Sequence, residues 1–344
     1  MAVTIRDVAE KAGVGVGTVS RTLNGAAHVR AATRARIEAA MRELSFQPNP
    51  HASNLKRATA TTIGFFFSSS HHRPLSDPFF STLMSGLADE ATAQGYDLLV
   101  ASAPADGGEL EKLERFVAGG RVSGVILTDT RINDARVAFL RKNDTPFVAF
   151  GRVKPGSAAP CIDVDGRLGV ESAVKHLFAR GHTAIGLIGL PDDLTCAVDR
   201  VEGYRLGYAH ARRKVDEHAI IMGGLTEADG SRAAEALLSL PKPPTAIIAC
   251  SDVLALGALR AIHQHGLQVG RDLALVGFDD IPLAAHTSPP LTTLHQPIYE
   301  IATDLVRMLI KRINGEPVAR KVIKPELIER ESTARPAGSL RGSP

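Results

Sequence analysis

Between residues 63 and 278 the chain repeats one unit: a run of about five apolar residues, then a stretch with helical apolar spacing. Strand-like runs at 63–67, 96–101, 124–128, 146–150, 184–188, 245–250 and 273–278 alternate with helical stretches at 78–94, 109–118, 170–180, 200–212, 227–240 and 252–266. Strands apolar on both faces, each followed by an amphipathic helix, belong to parallel sheets covered on both sides. About ten such strands overfill one comfortable sheet. The pattern therefore predicts an α/β body of two doubly wound parallel-sheet lobes.

The first 60 residues follow a different rule and have no strand pattern. Ile5, Val8 and Ala9 form one apolar helical stripe, and Val14, Val19 and Leu23 form a second. Gly13 lies between them, where a sharp helix-to-helix turn needs a positive φ. Thr4 stands at the N-cap position with Asp7 three residues on, an approximate capping box. Two short helices joined by a glycine turn describe a small all-α helix-turn-helix unit, whose second helix enters the DNA major groove. Charge agrees with that reading. Residues 1–57 hold nine Lys/Arg against four Asp/Glu, a net +5, whereas the chain totals 40 against 37, leaving 31 against 33 for the rest. A basic module on a mildly acidic body suits phosphate attraction.

The segment DVAEKAGVGVGTVSRTLN, followed from His28 by HVRAATRARIEAAMRELSFQPNPHASNL, resembles the DNA-binding headpiece of the LacI/GalR family of bacterial transcription regulators. The body resembles the family in separate pieces. They include Asp77-Pro-Phe-Phe80, Arg121-Val-Ser-Gly-Val125, Arg180-Gly-His182, Arg200-Val-Glu-Gly-Tyr204, the run from Ser251 to Ala258, Val276-Gly-Phe-Asp-Asp280, Pro290-Leu-Thr-Thr293 with Gln296-Pro297, and Glu329-Arg-Glu-Ser-Thr333. The resemblance implies a core like the periplasmic sugar-binding proteins (type I), with three crossovers and a ligand cleft between its lobes. The implied organisation is a headpiece at 1–46, a hinge helix and linker at 47–61, an effector-binding core at 62–335 and a disordered tail at 336–344.

On the helix opening near Val16, the exposed candidates for base reading are Val16, Gly17, Ser20 and Arg21. Arg21 is the strongest of these, because a guanidinium can grip guanine O6 and N7 together. Val16 and Gly17 offer only apolar contact or close backbone approach. The resemblance adds DNA contacts by Thr4, Thr18, Asn24 and His28. It also adds the hinge residues Asn49, Ala52 and Leu55, with Leu55 as a minor-groove wedge. Pro50 departs from the family pattern but fits the first turn of a helix.

A sugar site needs planar bidentate groups for vicinal hydroxyls and an aromatic face for C–H surface. By position in the resembling segments, Arg200 and Asp279 are the gripping pair, with Ser251 and Asp252 at a strand end beside them. Family members often carry Asn where Ser251 stands. Asp77, Phe79, Phe80 and Arg152 complete the expected effector set, and without any Trp an aromatic wall must be Phe or Tyr.

Other chemistries lack their signatures. There is no Gly-x-Ser-x-Gly elbow, phosphate-binding loop or His-Glu-x-x-His, so the chain is not expected to be an enzyme or to need a cofactor. His71-His72 reads as a solvated loop, and the three cysteines have no metal-ligand spacing and read as free thiols. No run approaches about 18 apolar residues, and the N-terminus lacks a signal-peptide pattern, so a cytoplasmic protein without membrane contact is expected. The segment 298–313 has apolar residues at helical spacing, suited to packing on the body or on a twin. The tail ERESTARPAGSLRGSP has no heptads. The expected assembly is a homodimer on a pseudopalindromic operator, responding to a mono- or oligosaccharide.

Overall fold

The computed structural model describes residues 3–23, 29–44, 46, 61–68, 76–103, 107–153 and 159–333, and divides into two compact units, Met1–Ala60 and Thr61–Pro344. The expectations for Asn24, His28, the hinge with Asn49, Ala52 and Leu55, the His71-His72 pair and the tail fall outside the described residues.

In the first unit α1 (Ile5–Lys11), α2 (Val16–Leu23) and α3 (Ala31–Glu43) close over one small core. Val8, Ala9, Ala12, Val19, Ile37 and Ala40 are buried, with Ile5, Val14 and Leu23 packed against them. The two apolar stripes thus meet each other and α3. Asp7 Oδ2 accepts from the Thr4 backbone N–H at 2.7 Å and from its hydroxyl at 2.8 Å. These bonds, the backbone one first, hold the Asp7 carboxyl below its usual range. Gly13 takes φ +62°, the left-handed turn expected of it. Arg36 of α3 donates to the carbonyls of Ala12 and Gly13, which the end of α1 leaves without helical partners.

The second unit contains two six-stranded sheets. The first joins β1 (Thr62–Phe67), β2 (Asp97–Ser102), β3 (Val125–Leu127), β4 (Phe147–Phe150), β5 (Cys161–Val164) and β11 (Lys321–Ile323) in the order β11-β5-β4-β3-β1-β2, all parallel. The second joins β6 (Ile185–Gly189), β7 (Ile220–Met222), β8 (Ala246–Ala249), β9 (Ala274–Asp279), β10 (Thr292–His295) and β12 (Glu326–Ile328) in the order β12-β10-β9-β8-β6-β7, parallel except for the β10–β12 edge. The first lobe carries α4 (Pro78–Ala93), α5 (Glu109–Ala118), α6 (Ala135–Lys142) and α11 (Ile298–Ile313). The second carries α7 (Gly166–Ala179), α8 (Thr195–His210), α9 (Glu227–Leu238) and α10 (Asp252–Gln264).

The chain crosses between lobes three times: from β5 into α7, from β10 into α11, and from β11 into β12. Two crossings are tied together where the Asp165 N–H donates to the Ile323 carbonyl at 2.8 Å. The α11 stripe packs on the first lobe itself, burying Ile301, Leu305 and Leu309 against α4, β3 and β4.

Five strands fall outside the apolar runs read from the sequence. β11 and β12 are short edge strands with charged residues, and β7 is a three-residue edge. β5 and β10 are buried but carry polar residues whose partners lie far away in sequence. Thr292 Oγ1 donates to the Arg330 carbonyl at 3.0 Å and Thr293 Oγ1 to Asp252 Oδ1 at 2.6 Å. A strand can therefore be buried without reading as hydrophobic.

Packing of α9 on α10 is set by a reciprocal glycine contact. A side-chain carbon at Gly230 would overlap the Leu254 carbonyl of α10, and one at Gly257 would overlap the Glu227 carbonyl of α9. The obstacle in both cases is backbone, which cannot swing aside. Gly257→Ala is therefore expected to lower unfolding stability by about 1–3 kcal/mol, the range for overpacking a close-packed interior. Urea denaturation measures it, and an unchanged midpoint would show that the helices separate freely.

Candidate effector pocket and DNA-reading helix

Because both sheets are parallel apart from the β12 edge, their other strands end on the same side, and ligands of open α/β sheets collect outside those carboxyl ends. Here the ends of the two sheets enclose a cavity of about 670 Å³ of non-atom space, part of it open to solvent. Each lobe contributes a different kind of wall.

The first lobe supplies the rings and the loop after β3. Phe79 and Phe150 lie nearly parallel on the wall, with centroids 5.8 Å apart and planes 11° apart. Phe79 is fixed because Asp77, the N-cap of α4, accepts from its backbone N–H at 2.9 Å. Thr128, Asp129 and Thr130 follow β3 into the cavity. Behind them Arg136 is buried. It pairs with Asp134 at 2.6 Å and Glu109 at 3.0 Å, and donates to the carbonyls of Thr128 at 3.0 Å and Asp129 at 2.9 Å. Thr130 Oγ1 donates to the Arg152 carbonyl at 2.9 Å, which ties this loop to the turn after β4.

The second lobe supplies the polar grip. Arg200, on α8, is buried with its guanidinium carbon 3.6 Å from the Phe278 ring centroid, and its Nη1 donates to the Cys250 carbonyl. Its Nε is buried and has no hydrogen-bond partner among the described residues. Asp279 ends β9 with φ +118°, a conformation rarely adopted by a residue with a side chain, and accepts from Gln296 Nε2.

That unusual backbone is held from below by Asp252. Its carboxylate oxygens accept from the Ile281 N–H at 2.8 Å and from Thr293 Oγ1 at 2.6 Å, bracketing the β9–β10 connection. Burial first, then the charge of Asp279, pushes the Asp252 carboxyl well above the usual range, against those hydrogen bonds.

The lobes are also joined across the cavity. Arg152 reaches Asp163 of its own lobe at 3.3 Å and Asp199 of α8 in the other. Arg131 contacts Glu109 at 2.7 Å and, across the gap, Asp193 at 2.9 Å. The Thr195 N–H donates to the Thr130 carbonyl at 3.0 Å.

Of the effector residues expected from the sequence, the structure brings Phe79, Arg200, Ser251 and Asp279 together on the cavity wall. It places the other four behind that wall. Asp77 caps α4, and Phe80 is fully buried with its ring 5.3 Å from Phe67. Arg152 is held by carboxylates of both lobes, and Asp252 is fully buried in the β9–β10 connection. Sequence reading passed over Asp129, Phe150, Asp163, Cys196 and Gln296, all on the wall. The ends of the parallel strands β3 and β4 could have signalled the first two. Gln296 and Asp163 lie at crossovers, which single-sequence periodicity does not locate.

On the headpiece Val16, Gly17 and Arg21 are exposed, Thr18 and Ser20 are half-buried, and Val19 is buried. Arg21 Nη2 lies 3.4 Å from Thr18 Oγ1, a weak contact that leaves the guanidinium at the outer face of α2. Thr4 caps α1.

Residues 4–49 match the model for bacterial regulatory proteins of the lacI family, and residues 174–333 match that for a periplasmic binding protein-like domain. The HTH-type transcriptional repressor CytR of Escherichia coli strain K12 is 34% identical over 334 residues, spanning 96% of each chain. The chain belongs to the lacI family. It is a DNA-binding transcriptional regulator like its relatives. The regulator CelR of Thermobifida fusca is 33% identical over 333 residues, covering 96% of this chain and 98% of that one. Among solved structures, a lac repressor dimer bound to operator and the anti-inducer ONPF aligns with a TM-score of 0.85 at 29% identity, over 97% of this chain and 100% of that one. A CelR–cellobiose complex aligns at 0.74 and 32% identity, over 96% and 99%. Among the described residues no helix is long and apolar enough to cross a membrane.

The geometry separates Asp252 from the residues that touch the cavity. Asp252→Ala leaves the Ile281 N–H and the Thr293 hydroxyl without acceptors in a buried site, so a loss of about 2–5 kcal/mol in unfolding stability is expected even without ligand. A variant as stable as the parent would mean that Asp252 does not hold the connection.

Proposed function

We propose that the protein is a homodimeric repressor of carbohydrate-utilisation genes whose operator affinity falls when a small sugar binds between its two lobes. The observation that carries this reading is the joint placement of Arg200, Asp279 and the Phe79–Phe150 pair around one cavity. A guanidinium and a carboxylate suit the donor and acceptor sides of vicinal hydroxyls, and the rings suit C–H faces. That a CelR structure of similar fold is a complex with cellobiose supports a sugar effector.

In this mechanism Arg21 reads a guanine edge from α2, Val16 and Gly17 allow close approach, and Thr4, Thr18, Ser20, Asn24 and His28 hold phosphates or the helix ends that meet them. Asn49, Ala52 and Leu55 form the hinge, which opens the minor groove at the centre of the site. Ligand shifts the lobes between arrangements with different operator affinity, and it does so only to the extent that it binds one arrangement better.

Two variants test the reading as a pair. Arg21→Ala should lose about 1–3 kcal/mol of discrimination between operator and random DNA, roughly five- to 150-fold, while its ligand-induced rise in melting temperature is unchanged. Arg200→Ala should bind operator like the parent and lose the response to sugars, because stripping a buried charged partner costs about 2–5 kcal/mol of ligand affinity. Fluorescence anisotropy on labelled operator, with melting scans over mono- and oligosaccharides, gives both readouts. An Arg200→Ala protein still released from operator by the parental sugar would contradict the proposed site.

A further inference from the structure

We infer that Arg36, on α3, is a positioning residue for DNA recognition: it sets the angle at which α2 meets the major groove and does not itself touch DNA. The inference rests on the proposed role of α2 as the reading helix and adds to it a residue outside that helix.

Base reading needs side chains held to within about 10–20° of their working geometry, and the helix that carries them must be held as well. In α2 the restraints are few. The helix has eight residues, of which Val19 alone is buried, with Leu23 packed against the same core. Just before it stands Gly15, whose carbonyl accepts from the N–H groups of Thr18 at 2.8 Å and Val19 at 3.3 Å. Gly15 is exposed, and a side-chain carbon there would meet nothing. One buried valine sets how deeply α2 sits on the core. It does not fix the direction of the helix about that contact.

The second restraint lies at the turn where the chain leaves α1 for α2. Arg36 Nη2 donates to the carbonyls of both Ala12, the C-cap of α1, and Gly13, the latter at 3.2 Å. The carbonyl end of a helix carries partial negative charge, which a guanidinium matches. A side-chain carbon on Gly13 would lie 2.9 Å from the same nitrogen, so the guanidinium closes directly over the turn. The other end of the brace is equally fixed. Arg36 leaves α3 beside Ile37, which is fully buried in the headpiece core. A second tie from α1 to α3, Lys11 to Glu43 at 2.9 Å, joins side chains that are 52% and 61% exposed, and such pairs hold little. Arg36 thus spans from the core helix to the point where the chain changes direction into α2. A lysine there is a single point donor without the planar fork, and restores only part of the brace.

The test compares the full-length protein with Arg36→Met, which keeps an apolar stem and removes the donors, and with Arg36→Lys. The probes are an operator selected by the parent from a random-sequence duplex pool and a scrambled duplex of the same length, read by fluorescence anisotropy. Arg36→Met should bind the operator at least tenfold more weakly and the scrambled duplex less than twofold more weakly. Its base preference should relax at several positions of each half-site together. Arg36→Lys should lose at least threefold in discrimination and less than Arg36→Met. On both duplexes the slope of log affinity against log salt should match the parent. A slope shallower by about 0.9 marks a lost phosphate contact and would overturn the inference. Relaxation at a single base pair, the mark of a direct base reader, would overturn it too. So would parental discrimination, or an equal loss on both duplexes with a lower melting temperature, which is the mark of a merely structural role. If Arg36→Met does not fold, Arg36→Lys decides alone, and parental discrimination in that variant is the contrary result. Arg21→Ala measured beside them separates the two levels of failure. Discrimination lost in Arg21→Ala and kept in the Arg36 variants sinks only the positioning role. Discrimination kept in Arg21→Ala contradicts the assignment of the reading helix and the positioning role with it.

Discussion

A charge taken out of water must be given partners, and the facing edges of the two sheets are organised around three arginines that meet this demand differently. Arg152 draws carboxylates from both lobes. Burial opposes its charge, but the hydrogen bond and charge of Asp199, then the charge of Asp163, hold its guanidinium above the ordinary range. Arg136 draws two carboxylates and two carbonyls from a single lobe and so fixes the loop after β3. Arg200 takes one carbonyl and one ring face, leaving a donor unspent. Removing one member of such a group leaves the others buried and uncompensated. The cavity keeps its shape because these charges keep theirs.

This arrangement gives the cleft walls fixed within each lobe and polar contacts across the gap. Within each lobe the walls are anchored by buried bonds that any motion must preserve. Between lobes, polar ties among the described residues include Arg152 to Asp199, Arg131 to Asp193, and a backbone bond from Thr195 to Thr130. Three crossing segments join the lobes covalently on the other side of the problem, with Asp165 and Ile323 bonded between two of them. These polar ties are the contacts that relative movement of the lobes would have to break.

Much of the architecture was legible because it is written in local periodicity. The helix at 109–118 has the same bounds in sequence and structure, since its apolar face and the glycine ahead of it are local signals. The headpiece was legible for the same reason, from Thr4 and Asp7 through Gly13 to Val19. What escaped was burial that depends on distant partners. β10 is wrapped in hydroxyls matched by Asp252 and Arg330, and β5 carries a buried Asp163 paired with Arg152 and Arg320. The site was half legible for a related reason. Position in a family segment separated Arg200 and Asp279 from the background. It did not distinguish a residue that faces the cavity, such as Ser251, from the next one along, Asp252, which faces the core.

The central claim is that this cavity and the operator-reading headpiece are two sites of one equilibrium. Thermodynamic linkage tests it without assuming the sign of the response. The dissociation constant of an effector identified by melting scans is measured by calorimetry on the free protein and on the operator-bound protein, and the operator constant is measured with and without saturating effector. The account predicts the same ratio from both measurements, differing from one by at least about fivefold, the lower end of ordinary allosteric coupling. An effector that binds the cavity with the same affinity in the presence and absence of operator would contradict it.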